Sequence, residues 1–341
     1  MPGPFLTSIT RIAGFGDRRP SFEPVVRSSW ATGDYVLAEV TGDGSVPYSI
    51  ENPVGRAVEV MPGDQLVGAL GRRAATLQIV GDWTAVEDDL ELETLSAGGV
   101  LGRCTSAAVP RPPIARLRYL GHAHREGSKV TMRSCVPSGG GERLTAPIVL
   151  ITGTSMEAGK TVAGKAAVRS LRRLGLRVAA AKLTGVGRFR DVLALGDAGA
   201  DPIFDFTDAG VPSTAVPAAV YAEALEVLLS LLAEGKPDVV VAEAGASPLE
   251  PYNGDTAIAA LGERVACTVL CASDPYAVTG VVRAFDYEPD LVSGRATSTS
   301  AAIELVGKLT GLPALNALDP ASGPQFDELL GAKLSAFARG G

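Results

Sequence analysis

The feature that most narrows what this chain can fold into is the stretch Gly153-Thr154-Ser155-Met156-Glu157-Ala158-Gly159-Lys160-Thr161, set between an apolar run and an amphipathic one. The run before it, IVLITG (148–153), has the length and composition of a buried strand. The run after it, KTVAGKAAVRSLRRLG (160–175), repeats its apolar positions at helical spacing and stops at Gly175. Glycines at both ends of the loop let successive backbone N–H groups turn toward one point, and the start of a helix adds positive dipole there. Lys160 can reach the β and γ phosphates of a nucleotide, and the Thr161 hydroxyl can ligate Mg2+. The stretch therefore reads as a phosphate-binding P-loop, with Gly153, Thr154, Glu157, Ala158, Gly159, Lys160, Thr161 and Val162 as the cofactor-binding residues. Its spacing is one residue longer than the usual G-x-x-x-x-G-K-[ST], since five residues separate Gly153 from Gly159.

The sequence around the loop keeps alternating strand and helix. RVAAAKL (177–183), PDVVVAEAG and RVACTVLCAS are continuous apolar runs of strand length, and YAEALEVLLSLLAEG (221–235) is a helix ended by glycine. Continuous apolar strands separated by helices predict a mainly parallel, doubly wound sheet covered on both faces. In such a sheet ligands bind at the carboxyl ends of the strands, where Lys182 and Glu243 fall. Lys182 interrupts an otherwise apolar strand and calls for an anionic partner. Glu243 can hold Mg2+ or orient a nucleophile, and together with Lys160 these two residues form the candidate catalytic set. Asp191, Asp197, Asp201 and Asp205 crowd the connection after the second strand, and one of them is expected to complete a metal shell with Thr161 and Glu243. Arg188 and Arg190 are candidates to clamp a substrate carboxylate or phosphoryl group. Tyr252 and Asn253, with Asp255 close by, follow Glu243 closely enough to line the same crevice, although PYNG is also an ordinary turn sequence. Cys267 and Cys271 fit strand packing better than chemistry.

Residues 1–138 follow a different grammar. DYVLAEV, YSI, AVEV, QLVGAL, TLQIV, ARLRYL and KVTMRS are short apolar runs broken by GD, DG, NP, PG and GG, the punctuation of a small β barrel or sandwich. VPSGGGERLTAP supplies a glycine-rich linker at 139–146, which leaves 147–341 as the α/β nucleotide-binding domain. With 46% apolar residues, 20% charged residues and a net charge of −7, the 341-residue chain is globular and has no overall basic footprint for nucleic acid. Its apolar runs are too short or too interrupted to span a bilayer, and the N-terminal stretch has no signal-peptide pattern, so a soluble chain is expected. Four cysteines without paired metal spacing fit a reducing, cytoplasmic setting. His122 and His124 lack a third ligand nearby in sequence.

The loop GTSMEAGKTV resembles the GTDTEVGKTV loop of dethiobiotin synthetase and its relatives, the cobyrinic and cobyric acid amide synthases. AAAKLTG (179–185) is similar to the strand that carries a second active-site lysine in that family, which would make Lys182 its counterpart. VVVAEAGASPLEP (239–251) resembles the family's strand ending in Glu-Gly-Ala-Gly, with Glu243 as the magnesium-side carboxylate. A further resemblance covers about half of the chain. GDAGADPIFDFTDAG, AEAGASPLEPYNGDTAI and TVLCASDP resemble the C-terminal half of a two-domain bacterial P-loop family that includes D-glutamate N-acetyltransferases. That resemblance favours Asp205, then Asp201, as the metal carboxylate, and it does not extend to residues 1–140.

Three functions follow as expectations. The first is an ATP- and Mg2+-dependent ligase or synthetase that activates a small carboxylate or carbamate by phosphoryl transfer. The second is an N-acyltransferase that grips acetyl-CoA or another acyl-CoA by its phosphates. The third is a nucleotide-regulated switch or binding protein. The expected partner is a small, anionic molecule rather than nucleic acid or membrane, and the resembled synthetases allow a homodimer.

Overall fold

The computed structural model describes residues 3–42, 47–137, 141–245, 247–286 and 288–340. The chain divides into two units: Met1–Ser138 with Val186–Arg190 and Phe206–Ala224, and Gly139–Gly185 with Asp191–Asp205 and Leu225–Gly341. Where the sequence suggests a single cut after residue 138, two later segments thus belong to the first unit. Of the glycine-rich linker, Gly139 and Gly140 lie outside the described residues.

In the first unit, five strands of a mixed sheet close on themselves. Gln65–Leu70 pairs with Tyr35–Thr41, which pairs with Arg116–Arg125, then Glu91–Thr94, then Val100–Ala107, and this last strand returns in parallel to Gln65–Leu70. Closure removes the open edges that would otherwise pair with other chains. Val36, Ala38, Val40, Leu66, Leu70, Leu92, Leu101, Leu117 and Tyr119 fill one core, while Tyr35, Leu37, Val67, Ala69 and Val100 pack on the other side, as a period of two requires. The register shift between Tyr119 and Gly121 is a bulge, and it turns Ala123 toward the second core although it shares parity with Leu117 and Tyr119. At the parallel seam, a Cβ on Gly68 would stand 2.4 Å from the Gly99 carbonyl oxygen, so only glycine lets the two strands meet. A separate hairpin, Tyr48–Glu51 with Ala57–Val60, packs Tyr48, Ile50 and Val60 into the first core.

Two barrel strands, Glu91–Thr94 and Val100–Ala107, escape the sequence reading, because Glu91, Glu93, Arg103 and Ser106 dilute their apolar pattern. KVTMRS, by contrast, contributes only the end of a two-residue strand, Ser128–Lys129, before a single turn of tight helix at Arg133–Cys135.

The second unit holds six parallel strands: β1 (Ile148–Gly153), β2 (Val178–Thr184), β3 (Ile203–Asp205), β4 (Val239–Ala244), β5 (Val265–Ala272) and β6 (Leu291–Gly294), in the order β3-β2-β4-β1-β5-β6. Helices α1 (Lys160–Arg173), α2 (Phe189–Gly196), α3 (Ala218–Glu234), α4 (Gly254–Leu261), α5 (Pro275–Phe285), α6 (Ser300–Thr310) and α7 (Gly323–Gly340) intervene or follow, the first residues of α2 and α3 belonging to the first unit. Val149 and Ile151, Val178 and Ala180, Val239 and Val241, and Cys267, Val269 and Cys271 lie in one core with Ala163, Ala167 and Leu171 of α1 and Phe326 and Leu330 of α7. Leu270, Ala272 and Val292 face the other way, against Val278 and Val281 of α5 and Val306 of α6. The sheet is therefore doubly wound, and both cysteines of β5 are packing residues.

Candidate active site

The row of side chains that buries α1 decides what stands at its N-terminus. Along β4 the sequence Val239, Val241, Glu243 keeps one face, and along β2 so does Val178, Ala180, Lys182. The last member of each row lies past the apolar core, at the carboxyl end where α1 begins. Interstrand register aligns Asp205, Lys182 and Glu243 across β3, β2 and β4. A carboxylate, an ammonium and a second carboxylate thus form a charged ridge on the α1 face of the sheet.

The loop itself is shaped by close approaches. β1 ends at Gly153, where a Cβ would stand 2.8 Å from the Lys160 side chain, so the lysine folds back across the bare backbone. Its Nζ donates to the Ser155 carbonyl at 2.7 Å. Glu157 holds φ +62°, and Gly159 holds φ +102° immediately before α1. The Thr154 N–H donates to the Cys271 carbonyl, and the Thr154 Oγ1 accepts from the Ser273 N–H, which ties the start of the loop to the end of β5. Gly294, ending β6, lies so close that a Cβ on it would be 2.1 Å from the Ala158 carbonyl oxygen, while the Arg295 N–H donates to that same oxygen.

No side chain caps α1 and no carboxylate lies in its first turn. By comparison, Asp274 caps α5 and Thr299 caps α6 through side-chain oxygens. The first amides of a helix have no intrahelical acceptor, so the start of α1 offers N–H groups and dipole to an anion.

Thr161, in the first turn, donates its hydroxyl to Glu243 Oε2 at 3.0 Å. Lys182 forms an ion pair with Asp191, in the first turn of α2. Lys160 and Lys182 are both buried, at 6% and 8% exposure, as is Glu243 at 4%. Burial lowers the Lys160 pKa, with Glu243 opposing. Burial is also the largest influence on Lys182 and acts downward, but Asp191, Glu243 and Asp205 outweigh it and hold the ammonium above its ordinary value. For Glu243 burial wins over Lys182 and Lys160, so its carboxyl titrates above the ordinary carboxylate range.

The other expected residues fall in three places. Asp205 is buried beside Lys182 in the register, two strands from Glu243 and away from the Thr161–Glu243 bond. Tyr252 is 2% exposed and Asn253 takes φ +59° just before α4, in the segment after β4 that also carries Glu250, whose charge acts on Lys160. Arg188 and Arg190 belong to the first unit, in contrast to the single C-terminal domain expected from sequence. Val162 is partly exposed on α1. Asp191 is one of four carboxylates crowded in that connection, and the position of α2 is what makes it the partner of Lys182. Gly294 carries no local signal of its contact with the loop.

No family model matches the chain, and no curated protein is significantly similar to it. Among solved structures, a duf1611 family protein from Anabaena variabilis is 21% identical with a TM-score of 0.39, over 57% of this chain and 60% of that one. The chain thus spans about three fifths of that relative's length. HypB from Helicobacter pylori, in complex with nickel, is 16% identical with a TM-score of 0.39, over 56% of this chain and 88% of its own. The signal recognition particle receptor FtsY from Elizabethkingia anophelis is 15% identical with a TM-score of 0.35, over 58% and 68%. At these values none of the three establishes a shared activity, and the P-loop character of the second unit rests on its own residues.

Proposed function

We propose that the second unit binds a nucleotide triphosphate, ATP in the first instance, and uses it to phosphorylate a small carboxylate or carbamate. The observation that carries this reading is the uncapped start of α1 with buried Lys160 and Thr161 in its first turn, facing Glu243 and Lys182 on the strand ends. Lys160, which donates to the Ser155 carbonyl, would exchange that oxygen for phosphate oxygens. The hydroxyl of Thr161 and the carboxylate of Glu243 are 3.0 Å apart, and two oxygen donors so placed suit Mg2+. Such an ion, when bound, neutralises charge on the β and γ phosphates. Asp205, by its place in the register, acts on the field around Lys182 rather than on the Thr161 side. Lys182, kept charged by its carboxylate neighbours, stabilises the negative charge that spreads over the transferred group. Tyr252 and Asn253 set the turn that opens α4 at the edge of the same site.

The acyltransferase and switch readings use the same loop, one for the phosphates of an acyl-CoA and the other for nucleotide alone. The three readings separate by product. A ligase releases ADP and phosphate in step with the activated product, an acyltransferase consumes acetyl-CoA and leaves ATP intact, and a switch consumes neither stoichiometrically. Lys182→Ala and Glu243→Gln are expected to lower turnover by about two orders of magnitude while nucleotide affinity measured without Mg2+ stays within several-fold, the pattern of contacts made mainly in the transition state. Equal losses in affinity and turnover would instead make these residues part of the nucleotide site and remove the catalytic role.

A further inference from the structure

The first unit contains an open groove of about 240 Å3, with Ser49, Ala57, Arg188 and Arg190 exposed along it, that the nucleotide reading leaves without a purpose. One wall is the hairpin Tyr48–Glu51 with Ala57–Val60, and the other includes the segment Val186–Arg190. That segment is firmly held. The Gly187 carbonyl accepts from the buried Ser96 hydroxyl at 3.0 Å, the Gly187 N–H donates to the Pro212 carbonyl, and Val186 bridges Ser213. Glu51, 3% exposed, accepts the Phe189 and Arg190 N–H groups at 2.6 and 3.0 Å, so both of its oxygens are engaged by the backbone. The Glu51 N–H in turn donates to the Ala97 carbonyl at 2.7 Å.

Fixed in this way, the segment directs Arg188 and Arg190 to the groove while Ala57 and Ala97 keep it open with small side chains. Among the described residues neither guanidinium has a carboxylate partner, whereas Arg11, Arg103, Arg111, Arg118 and Arg133 of the same unit each pair with one. Arg188 and Arg190 are both exposed, and two guanidiniums against the one buried carboxylate of Glu51 give the groove a positive field that favours an anion. Planar guanidinium forks match a carboxylate in two parallel hydrogen bonds, and the alanine methyls suit a short carbon skeleton. The volume lies below the range of drug-sized pockets, which limits the ligand to a few heavy atoms. We infer that this groove is a binding site for a small monocarboxylate held by Arg188 and Arg190.

The inference goes beyond the nucleotide reading, and its test uses no nucleotide. Saturation-transfer NMR on the full chain with butyrate, paired with phosphorus line broadening of inorganic phosphate, distinguishes the ligand chemistries. Butyrate is expected to show transfer that falls at least about tenfold in Arg188→Ala/Arg190→Ala, the size expected for losing charge-assisted hydrogen bonds. Thermal melting checks that the variant is folded, and Arg188→Lys/Arg190→Lys, which keeps charge and removes the forks, decides the matter if it is not; a marked loss of transfer is expected there too. No transfer to butyrate in the wild type, undiminished transfer in a folded double variant, or binding of phosphate alone would overturn the assignment.

Discussion

Gly294 takes φ +84°, and its Cα faces the phosphate loop so closely that a methyl there would overlap the Ala158 carbonyl oxygen. Gly294→Ala therefore has two reasons to displace the loop, backbone strain and direct collision. The expected outcome is at least about a tenfold loss of nucleotide affinity with the sheet still folded, read by titration calorimetry beside a melting curve. Unchanged affinity would mean that the shape of the loop does not depend on β6. That Lys160, Thr161, Lys182 and Glu243 come together at the strand ends was legible in the sequence, because a lysine or glutamate ending an apolar strand is costly to bury alone and the lysine–threonine pair opens the helix after β1. Gly294 was not legible, since its constraint comes from a strand far along the chain and leaves no mark beside it. Nor was the choice of Asp191 for Lys182, which depends on where α2 begins.

Elements explain why the barrel closes and why α1 is available to an anion. The parallel seam between Gln65–Leu70 and Val100–Ala107 requires a residue without a side chain at position 68, where a Cβ would lie 2.4 Å from backbone oxygen. Gly68→Ala is expected to destabilise the first unit by about 1–3 kcal/mol, the usual size of an overpacked core, measured by denaturant unfolding. A change below a few tenths of a kcal/mol would show that the seam yields easily and that closure does not depend on Gly68. The continuous apolar runs of β4 and β2, buried on both faces, were plain in the sequence, and so was the helical period of α1. The strands Glu91–Thr94 and Val100–Ala107 were hidden because charged residues on their open face break the pattern that strand recognition uses.

At the scale of the whole molecule, a change of composition marks where the N-terminal half ends, but composition says nothing of which later segments return to it. Phe206 and Tyr221, each 1% exposed, lie in the segment Phe206–Ala224 of the first unit. A fragment of residues 139–341 would keep this segment and Val186–Arg190 and lose Met1–Ser138 of that unit. We expect such a fragment to bind a hydrophobic dye and to give a poorly dispersed amide spectrum, whereas a well-dispersed spectrum would show that the segment folds with the second unit. A contiguous boundary is the simplest inference from one dimension, whereas backbone contacts group Val186–Arg190 and Phe206–Ala224 with the N-terminal residues. Every proposed activity of the second unit depends on phosphate binding at the start of α1. Calorimetric titration of the full chain with ATP, with and without Mg2+, tests it directly against the Lys160→Ala variant. Binding strengthened by Mg2+ and weakened at least about tenfold in the variant, about 1.4 kcal/mol, is the predicted result, and an affinity indifferent to Lys160 would contradict it.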